Sequence, residues 1–500
     1  MNIAEAKQQV KDTIEAYLAR DAHGCALLDT ARQRPVFLVG APGIGKTAIM
    51  AQIAQELGMG LVSYSMTHHT RQSALGLPFI VHETYDGVEY AASEYTMSEI
   101  IASVYDYMKR TGVKQGILFL DEINCVSETL YPSMLQFLQF KTFGRHAVPE
   151  GWIIACAGNP PEYNKSVHEF DIVTLDRVKK IAVEPDFGAW KAYALSKGTH
   201  PAILTFLEIK KNRFYSVETS LEGKAFVTAR GWDDLSDMMA VFEELGKTID
   251  YDLIVQYVQD DTIAREFAAY FDLFNKYKDD YRIDEILDGG DVADVAERAR
   301  GAQFDERLSL IGLLLDAVVG DMADVVGATD VLVALRDDLR CVKQAVSEGG
   351  DALALLEDVE RRKTAQLELA AAAGTLSKAR RKTAEGELEE LAELALAAAG
   401  AADSQEAYEI VSQEFSAKAE ALQSRAAEVE ERLARAFRFV DQAFGDQQEL
   451  LVFTTELTSR THSARYIAQY GSESYFAHNE DMILSERQRD LRRRVEDLDL

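Results

Sequence analysis

The positions of the prolines divide this chain of 500 residues into two parts. All nine prolines lie between Pro35 and Pro201, and residues 202–500 contain none. Proline lacks a backbone N–H and disrupts a helix interior, so a long stretch without it favours helices. We therefore predict that an α/β segment comes first and that an all-α segment follows it.

Short apolar runs alternate with helical patterns in the first part. The runs are PVFLVG (35–40), LVSYSM (61–66), GILFLD (116–121), WIIACAG (152–158) and KIAVEP (180–185). Runs without polar alternation are typical of strands that are covered by helices on both faces, which is the arrangement of a parallel sheet. The expected fold class is an αβα sandwich with a parallel sheet, followed by helices.

The second part has helical periodicity from residue 249 onward. Residues 352–400 and 404–444 are rich in Ala, Leu, Glu, Lys and Arg, a composition that favours long helices packed as a hairpin or a coiled coil. Gly374, Gly386 and Gly400 argue against one unbroken rod.

Charge and segment composition exclude several classes of protein. The formal net charge is -30, and most of it falls after residue 190. Nucleic acids and anionic lipids require Lys and Arg, so broad contact with either is not expected. No apolar run reaches the roughly 18 residues that span a bilayer, and residues 1–18 resemble an amphipathic helix more than a signal peptide. The four cysteines are far apart and predict buried, unpaired thiols. We expect a cytoplasmic protein.

A glycine-rich loop joins the first predicted strand to a predicted helix in VFLVGAPGIGKTAIM (36–50). The pattern G-x-x-x-x-G-K-T lets successive backbone N–H groups face one point, where the positive end of the helix dipole also attracts phosphate. Lys46 is expected to reach the outer phosphates, and the Thr47 hydroxyl is expected to bind Mg²⁺. The predicted nucleotide-binding residues are Gly40, Ala41, Pro42, Gly43, Ile44, Gly45, Lys46, Thr47 and Ala48.

Two carboxylates follow the third apolar run, in ILFLDEIN. Ligands bind at the carboxyl ends of parallel strands, so Asp121 is expected to complete the Mg²⁺ shell from the neighbouring strand. Glu122 would then accept a proton from the water that attacks the γ-phosphate, or orient that water. The alternative for this pair is a solvated turn.

An asparagine follows the fourth apolar run, in IIACAGNPPEYN. At the tip of that strand, the amide of Asn159 could hydrogen-bond to the attacking water or to the γ-phosphate. On its own, an Asn before Pro160 is an ordinary turn residue. Its place after the two preceding motifs favours the functional interpretation.

These three motifs together resemble a MoxR-like AAA+ ATPase, within the wider dynein-related class. Walker A is GAPGIGKT, Walker B is ILFLDEIN, and the sensor-1 asparagine stands in VPEGWIIACAGNP. The resemblance covers roughly residues 30–245 and includes RQSALGLP and PEGW. It implies an ATPase that uses ATP and Mg²⁺ and assembles as a ring, usually a hexamer, with each nucleotide between two protomers.

The resemblance also implies roles for two arginines. Arg177, in DIVTLDRVKKIAVEP, stands where the family carries its arginine finger, although the chain has Asp-Arg-Val where the family usually has a sequence closer to Ser-Arg-Phe. Such a guanidinium stabilises charge that develops on the transferred phosphoryl group. Arg230, in FVTARGWDDLSDMM, stands at sensor 2 of the lid. The alternatives are a surface arginine before the fifth strand and an arginine at a helix N-terminus.

The resemblance and the composition together suggest five segments. Residues 1–190 would form the AAA+ nucleotide-binding αβ domain, and residues 191–247 the helical lid with sensor 2. A helical domain (248–348), a long helical hairpin or coiled-coil arm (349–445) and a C-terminal helical segment (446–500) would follow.

The function implied by the resemblance is remodelling of a protein client by a ring-forming chaperone. Its partner would be a von Willebrand factor A-like protein, and its task the maturation of a complex or the insertion of a metal cofactor. Two alternatives remain, a nucleotide-gated motor of a DNA restriction system and a scaffold that binds nucleotide without hydrolysing it. The acidic second part of the chain opposes the DNA motor.

Three weaker features complete the sequence. FIVHETYDGVEYAA predicts a β-hairpin around Asp86-Gly87 that could contact a substrate or partner. His68 and His69 are expected in a loop near the ring pore. Arginines alternate with acids in the tail (486–500), which is typical of a solvated helix face.

Overall fold

A computed structural model describes most of the chain. The described residues are 1–68, 74, 76–127, 129–163, 167, 169–220, 223–372, 376, 378–445 and 448–479. His69, much of RQSALGLP and the arginine-rich tail lie outside them. The chain forms two compact units. The first comprises Met1–Ala189, Thr228–Arg230 and Ala365–Lys378, and the second comprises Trp190–Val227, Gly231–Thr364 and Ala379–Leu500.

A five-stranded parallel sheet forms the centre of the first unit. The strands of this unit are β1 (Val36–Gly40), β2 (Gly60–Ser65), β3 (Pro78–Tyr85), β4 (Val88–Tyr95), β5 (Gly116–Asp121), β6 (Thr142–Phe143), β7 (His146–Ala147), β8 (Trp152–Gly158) and β9 (Lys179–Val183). The sheet order is β2-β5-β8-β1-β9, with every neighbouring pair parallel. All five predicted strands are in this sheet, so the predicted fold class is confirmed.

The order of the strands corrects one expectation. The strand that ends at Asp121 is not the neighbour of the strand that leads into the glycine-rich loop, because β8 lies between β5 and β1. Apolar runs predict which segments become strands, but they carry no information on the order of those strands in the sheet.

Burial along the strands explains their apolar composition. Every residue of β8 is buried, as are the first five residues of β5 and four of the five in β1. At the edges of the sheet, β2 and β9 alternate between buried and more exposed positions. Central strands with helices on both faces need apolar side chains on both sides, whereas edge strands do not.

The structure describes five helices that lie wholly in the first unit, and several of their ends have recognisable signals. They are α1 (Ile3–Leu18), α2 (Lys46–Glu56), α3 (Glu99–Thr111), α4 (Tyr131–Phe140) and the single turn α5 (Ile172–Leu175). Asn2 and Glu5 form a capping box at α1, and the Ser98 hydroxyl caps α3. Gly112 ends α3 in the left-handed region, where glycine is favoured.

The predicted hairpin is present. Strands β3 and β4 pair in antiparallel register from Pro78 opposite Tyr95 to Tyr85 opposite Val88. The two turn residues, Asp86 and Gly87, have φ angles of 50° and 81°, as a two-residue hairpin turn requires.

Helices dominate the second unit, as the absence of proline predicts. They are α6 (Phe187–Lys197), α7 (Pro201–Ile209), α8 (Ala229–Glu244), α9 (Tyr251–Tyr257), α10 (Asp261–Asp280), α11 (Ile283–Asp288), α12 (Ala293–Gly301), α13 (Phe304–Ser347), α14 (Ala352–Ala372), α15 (Lys378–Ala398), α16 (Ser404–Phe444), α17 (Gln448–Ser459) and α18 (Thr461–Tyr470). Parts of α6, α8, α14 and α15 belong to the first unit. The segment predicted as a helical lid (191–247) also contains two antiparallel strands, β10 (Ser216–Ser220) and β11 (Gly223–Val227). Val217 and Phe226 favour these strands, because β-branched and aromatic residues suit a pleated surface.

The Ala-rich helices α14 and α15 share a core with their longer neighbours. Buried residues from the end of α13 and the start of α16 pack with buried residues of both. Lys363 of α14 donates to the buried carboxylate of Glu387 on α15 at 2.8 Å and pairs with Asp338 of α13 at 2.8 Å. The hairpin is thus one part of a four-helix cluster.

Two of the four cysteines are more exposed than the sequence predicts. Cys156 is buried and Cys125 is half-buried, but Cys25 and Cys341 are exposed. Cys25 lies in the loop after α1, and Cys341 lies on an exposed face of α13, so residue type alone misjudged their burial. In the described part of the chain, no helix is both long enough and apolar enough to cross a membrane.

We expect Trp232→Ala to destabilise the second unit by about 3–5 kcal/mol, the usual cost of deleting a buried aromatic side chain. Trp232 is 0% exposed and packs against Phe206 and Phe267 at ring-centroid distances of 5.9 and 5.3 Å. Its indole N–H donates to the carbonyl oxygen of Phe214 at 3.2 Å. The midpoint of urea unfolding, followed by far-UV circular dichroism, measures the effect. The control Leu245→Ala removes a side chain that is 60% exposed and should change the stability by less than about 0.5 kcal/mol.

Candidate nucleotide-binding site

The glycine-rich loop, the two carboxylates and Asn159 lie at the carboxyl ends of three adjacent strands. The glycine-rich loop follows β1, Asp121 ends β5, and Asn159 follows β8. Because the strands are parallel, these three ends share one edge of the sheet. That edge is where open α/β sheets bind their ligands.

Glycines are required at two points of the loop. Gly43 and Gly45 have φ angles of 72° and 93°, and α2 begins directly afterwards at Lys46. A Cβ on Gly43 would lie 2.7 Å from the side chain of Thr228. The loop therefore turns sharply into the N-terminus of a helix, the local structure that binds phosphate through backbone N–H groups.

Lys46 is buried at the centre of the site. Its ammonium donates to the carbonyl oxygens of Gly40 and Ala41 at 2.8 and 2.7 Å and to Oδ1 of Asn159 at 3.0 Å. Burial lowers the pKa of Lys46 to about 8. The charge of Asp121 raises that pKa and the charge of Arg230 lowers it, without reversing the effect of burial. This partly desolvated cation is ready to interact with an anionic phosphate.

Thr47 and Asp121 place two oxygens in contact that could hold a magnesium ion. The Thr47 hydroxyl donates to Oδ2 of Asp121 at 2.7 Å. Mg²⁺ is usually bound by one or two carboxylates together with phosphate oxygens, so a hydroxyl and a carboxylate in contact beside a phosphate loop fit this ion. Thr47 and Asp121 are in contact even though their strands, β1 and β5, are not adjacent in the sheet.

Glu122 has an unusual backbone conformation. Its φ angle is 54° and its ψ angle 38°, in the left-handed region that residues other than glycine rarely adopt. Its N–H donates to Oδ1 of Asp121 at 2.9 Å, and its side chain is half-buried. Such strain costs on the order of 1–3 kcal/mol and is found mainly at functional sites. Sequence reasoning placed Glu122 in the site but did not predict this conformation.

Asn159 lies beside the lysine in the structure. Its amide oxygen accepts from Lys46, and its backbone carbonyl accepts from Nδ2 of Asn124 at 2.8 Å. Asn124 is a contact that sequence reasoning missed, although it belongs to the motif ILFLDEIN. A polar residue directly after Ile123, at the end of an apolar segment, was the sequence signal that could have indicated this contact.

The segment around Arg230 also contacts the loop. The N–H of Arg230 donates to the carbonyl oxygen of Gly43 at 3.0 Å, and the side chain of Thr228 packs against Gly43. The Arg230 guanidinium is close enough to lower the pKa of Lys46. A helix, α8, begins at Ala229. The backbone of Arg230 therefore contacts the glycine-rich loop, close to the phosphates that this arginine was expected to reach.

Arg177 has different partners. Its Nε donates to Oε1 of Gln139 and its Nη1 donates to the carbonyl oxygen of Val173, both at 2.9 Å. Within the described ranges it forms no hydrogen bond with the glycine-rich loop, Asp121 or Glu122. Of the four predicted catalytic residues, Arg177 is the one that these contacts do not join to the others.

Comparison with known proteins bears on the same region. Residues 36–140 match the model of the AAA family, described as the ATPase family associated with various cellular activities. The match runs from β1 to the end of α4, so it includes the glycine-rich loop and both carboxylates but not Asn159 or the two arginines. No curated protein matches the chain. The parallel sheet and the family match together give the first unit an AAA+ α/β fold, and the match supports a nucleotide-dependent AAA+ ATPase.

Proposed function

We propose that the chain hydrolyses ATP as a MoxR-like AAA+ ATPase and uses that cycle to remodel a protein client. The observation that carries the proposal is the cluster formed by Lys46, Thr47, Asp121 and Asn159 at the end of a glycine-rich loop. Each of these side chains contacts at least one other member of the cluster or the loop backbone. Together they provide the donors, the ion ligands and the polar amide that phosphoryl transfer needs.

Nucleotide binding would change the partners of Lys46. In the protein alone, its ammonium is bound to two loop carbonyl oxygens and to Asn159. Phosphate oxygens are stronger acceptors than neutral carbonyls, so the ammonium would turn towards them. Mg²⁺, when bound, would neutralise charge on the phosphates. Thr47 and Asp121 would hold it.

Glu122 is proposed to activate the attacking water. Asp121 is held by Thr47 and by the N–H of Glu122, which leaves the Glu122 carboxylate without an ion-binding task. A positioned carboxylate can take a proton from water in the transition state and typically contributes a factor of about 10² to 10⁴ in rate. Asn159 would orient the same water or the γ-phosphate.

Arg177 is proposed to act on the site of a neighbouring copy in a ring, as in a hexamer. The helical turn whose Val173 carbonyl accepts from Arg177 carries two exposed apolar side chains, since Ile172 is 85% exposed and Val173 is 54% exposed. Apolar side chains exposed beside a cation are typical of a surface that another protein covers. A second copy that covers this surface would receive the guanidinium at its own phosphates.

The finer parts of the proposal come from the resemblance. They are a von Willebrand factor A-like partner, a client that undergoes complex maturation or metal insertion, and the role of Arg230 as sensor 2. The proposed cytoplasmic location comes from the sequence composition instead. The contact between Arg230 and Gly43 supports the sensor-2 role, since a nucleotide that moves the loop would also move the start of α8. Purification of Glu122→Gln from the native host in the presence of ATP would identify the partner.

Glu122→Gln should retain ATP binding and lose hydrolysis. The amide keeps the size of the side chain but cannot accept a proton, so we expect kcat to fall by about 10² or more, while the affinity for ATP changes by less than about threefold. Phosphate release and equilibrium titration with a fluorescent ATP analogue measure the two quantities. The control Glu15→Gln alters an exposed carboxylate on α1 and should have no effect. Equal turnover in wild type and Glu122→Gln would contradict the role of Glu122.

The affinity for ATP should fall as the pH rises through 8. The pKa of Lys46 is about 8 in the protein alone, so the side chain is mostly charged at pH 7 and mostly neutral at pH 9. A bound triphosphate favours the charged form, so protein that has lost this proton must regain it to bind. We expect the affinity to fall about fivefold between pH 8 and pH 9, as linkage to one proton requires.

Lys46→Arg provides the control for this pH dependence. Its guanidinium stays charged at these pH values, so its affinity for ATP, whatever its absolute value, should be constant from pH 7.5 to pH 9.5. Titrations in the Glu122→Gln background avoid hydrolysis. The same slope in both variants would assign the pH dependence to another group.

Mixing two inactive variants tests the shared site. Arg177→Ala should lose about 10³ in kcat, as loss of an arginine finger does. A mixture of equal amounts with Glu122→Gln should recover about a quarter of the wild-type rate, because one interface in four then combines an intact Glu122 with an intact Arg177 in a ring of head-to-tail contacts. The control Arg32→Ala should stay fully active. A protein that remains monomeric with ATP and Mg²⁺, together with a mixture that shows no recovery, would rule out the shared site.

A further inference from the structure

Asn124 is a buried polar residue with no role in the proposed hydrolysis of ATP. It lies in the short 3-10 turn Ile123–Cys125, two residues after Glu122, and is 6% exposed. Its Nδ2 donates to the backbone carbonyl of Asn159 at 2.8 Å. This bond connects the turn after β5 with the segment after β8, which is the neighbouring strand in the sheet.

The other half of the Asn124 amide is not satisfied. Its Oδ1 is buried and, within the part of the chain that the structure describes, has no hydrogen-bond partner. The orientation of the amide follows from its partner, because a carbonyl oxygen must face the NH₂ group. A buried acceptor without a partner costs at least as much free energy as one hydrogen bond contributes. Stability alone therefore does not explain an asparagine at this position.

Gly158 leaves room for this amide. A Cβ built on Gly158 would lie 2.3 Å from Oδ1 and 2.7 Å from Cγ of Asn124. The amide of Asn124 thus lies directly against the last residue of β8 and binds the carbonyl of the next residue. The two contacts hold the backbone from which the side chain of Asn159 extends.

Asn159 in turn contacts the buried ammonium of Lys46. Asn159 accepts from Lys46 through its side chain while its backbone accepts from Asn124. A displacement of the Asn159 backbone would therefore move the amide that contacts Lys46. On the other side, Asn124 is separated from Glu122 by only one residue.

We propose that Asn124 is a positioning residue that holds Asn159 in register with Lys46 and Glu122. It touches neither nucleotide nor water in this role, and it acts only through Asn159. The inference rests on the proposed hydrolysis of ATP and adds a residue to the machinery of that site. It predicts a specific loss of turnover when the bond to the Asn159 carbonyl is removed.

Asn124→Leu tests the inference, because leucine has a similar size and cannot donate. We expect kcat to fall about tenfold, the factor that corresponds to one hydrogen bond, while KM changes by less than about twofold. The thermal midpoint should change little, since the substitution removes the bond to the Asn159 carbonyl and the unsatisfied oxygen together. The control Asn275→Leu makes the same change at an exposed position on α10 and should preserve kcat.

A double-mutant cycle shows whether Asn124 affects kcat through Asn159 or independently of it. In an Asn159→Ala background the amide that Asn124 is proposed to position is absent, so Asn124→Leu should lower kcat by less than about twofold further. A full second tenfold loss would overturn the inference. Gly158→Ala should reproduce the phenotype of Asn124→Leu, because its Cβ would displace the Asn124 amide.

The outcomes distinguish this inference from the proposed function. If the wild type does not hydrolyse ATP, the proposed function fails and the inference fails with it. If the wild type is active and Asn124→Leu has the same kcat, only the inference fails. An Asn124→Leu protein that unfolds or no longer binds ATP would also overturn it, because Asn124 would then be a structural residue.

Discussion

The buried ammonium of Lys46 is the interaction on which the candidate site depends. A charge removed from water must be compensated, and here two loop carbonyls and Asn159 accept its three hydrogen bonds. These acceptors are available only because the loop turns through Gly43 and Gly45 and because Asn159 follows an adjacent strand. Burial disfavours the charged form of Lys46 and lowers its pKa. The three acceptors stabilise the remaining charge, and a bound phosphate would take their place.

The order of the sheet determines which motifs can cooperate. With β8 between β1 and β5, the segment that carries Asn159 lies between the phosphate loop and the two carboxylates. Asn159 can then bind Lys46 through its side chain and Asn124 through its backbone. The hydrogen bond from Thr47 to Asp121 directly connects the segment after β1 with the end of β5. Three segments that are distant in sequence form one polar network because their strands end at the same edge.

The helical unit is organised by a different requirement. It carries most of the negative charge, so it must place many carboxylates on helix surfaces while it buries enough apolar area to be stable. Long helices achieve this with one apolar face each, and buried residues from four of them meet in the cluster of α13 to α16. Where a carboxylate is buried, a cation accompanies it: Lys363 pairs with Glu387, and Arg307 pairs with Glu449.

The sequence by itself determined the α/β fold class, the helical second part and the hairpin at Asp86-Gly87, and it predicted that Lys46, Thr47, Asp121 and Asn159 lie close together. Each of these follows from local chemistry: apolar runs, absent prolines, turn residues and a phosphate-binding motif. The tertiary structure alone decided the strand order, the exposure of Cys25 and Cys341, the left-handed backbone at Glu122 and the contact of Asn124 with Asn159. These features depend on which segments become neighbours, and contacts between residues far apart in the chain leave no periodic trace in a single sequence.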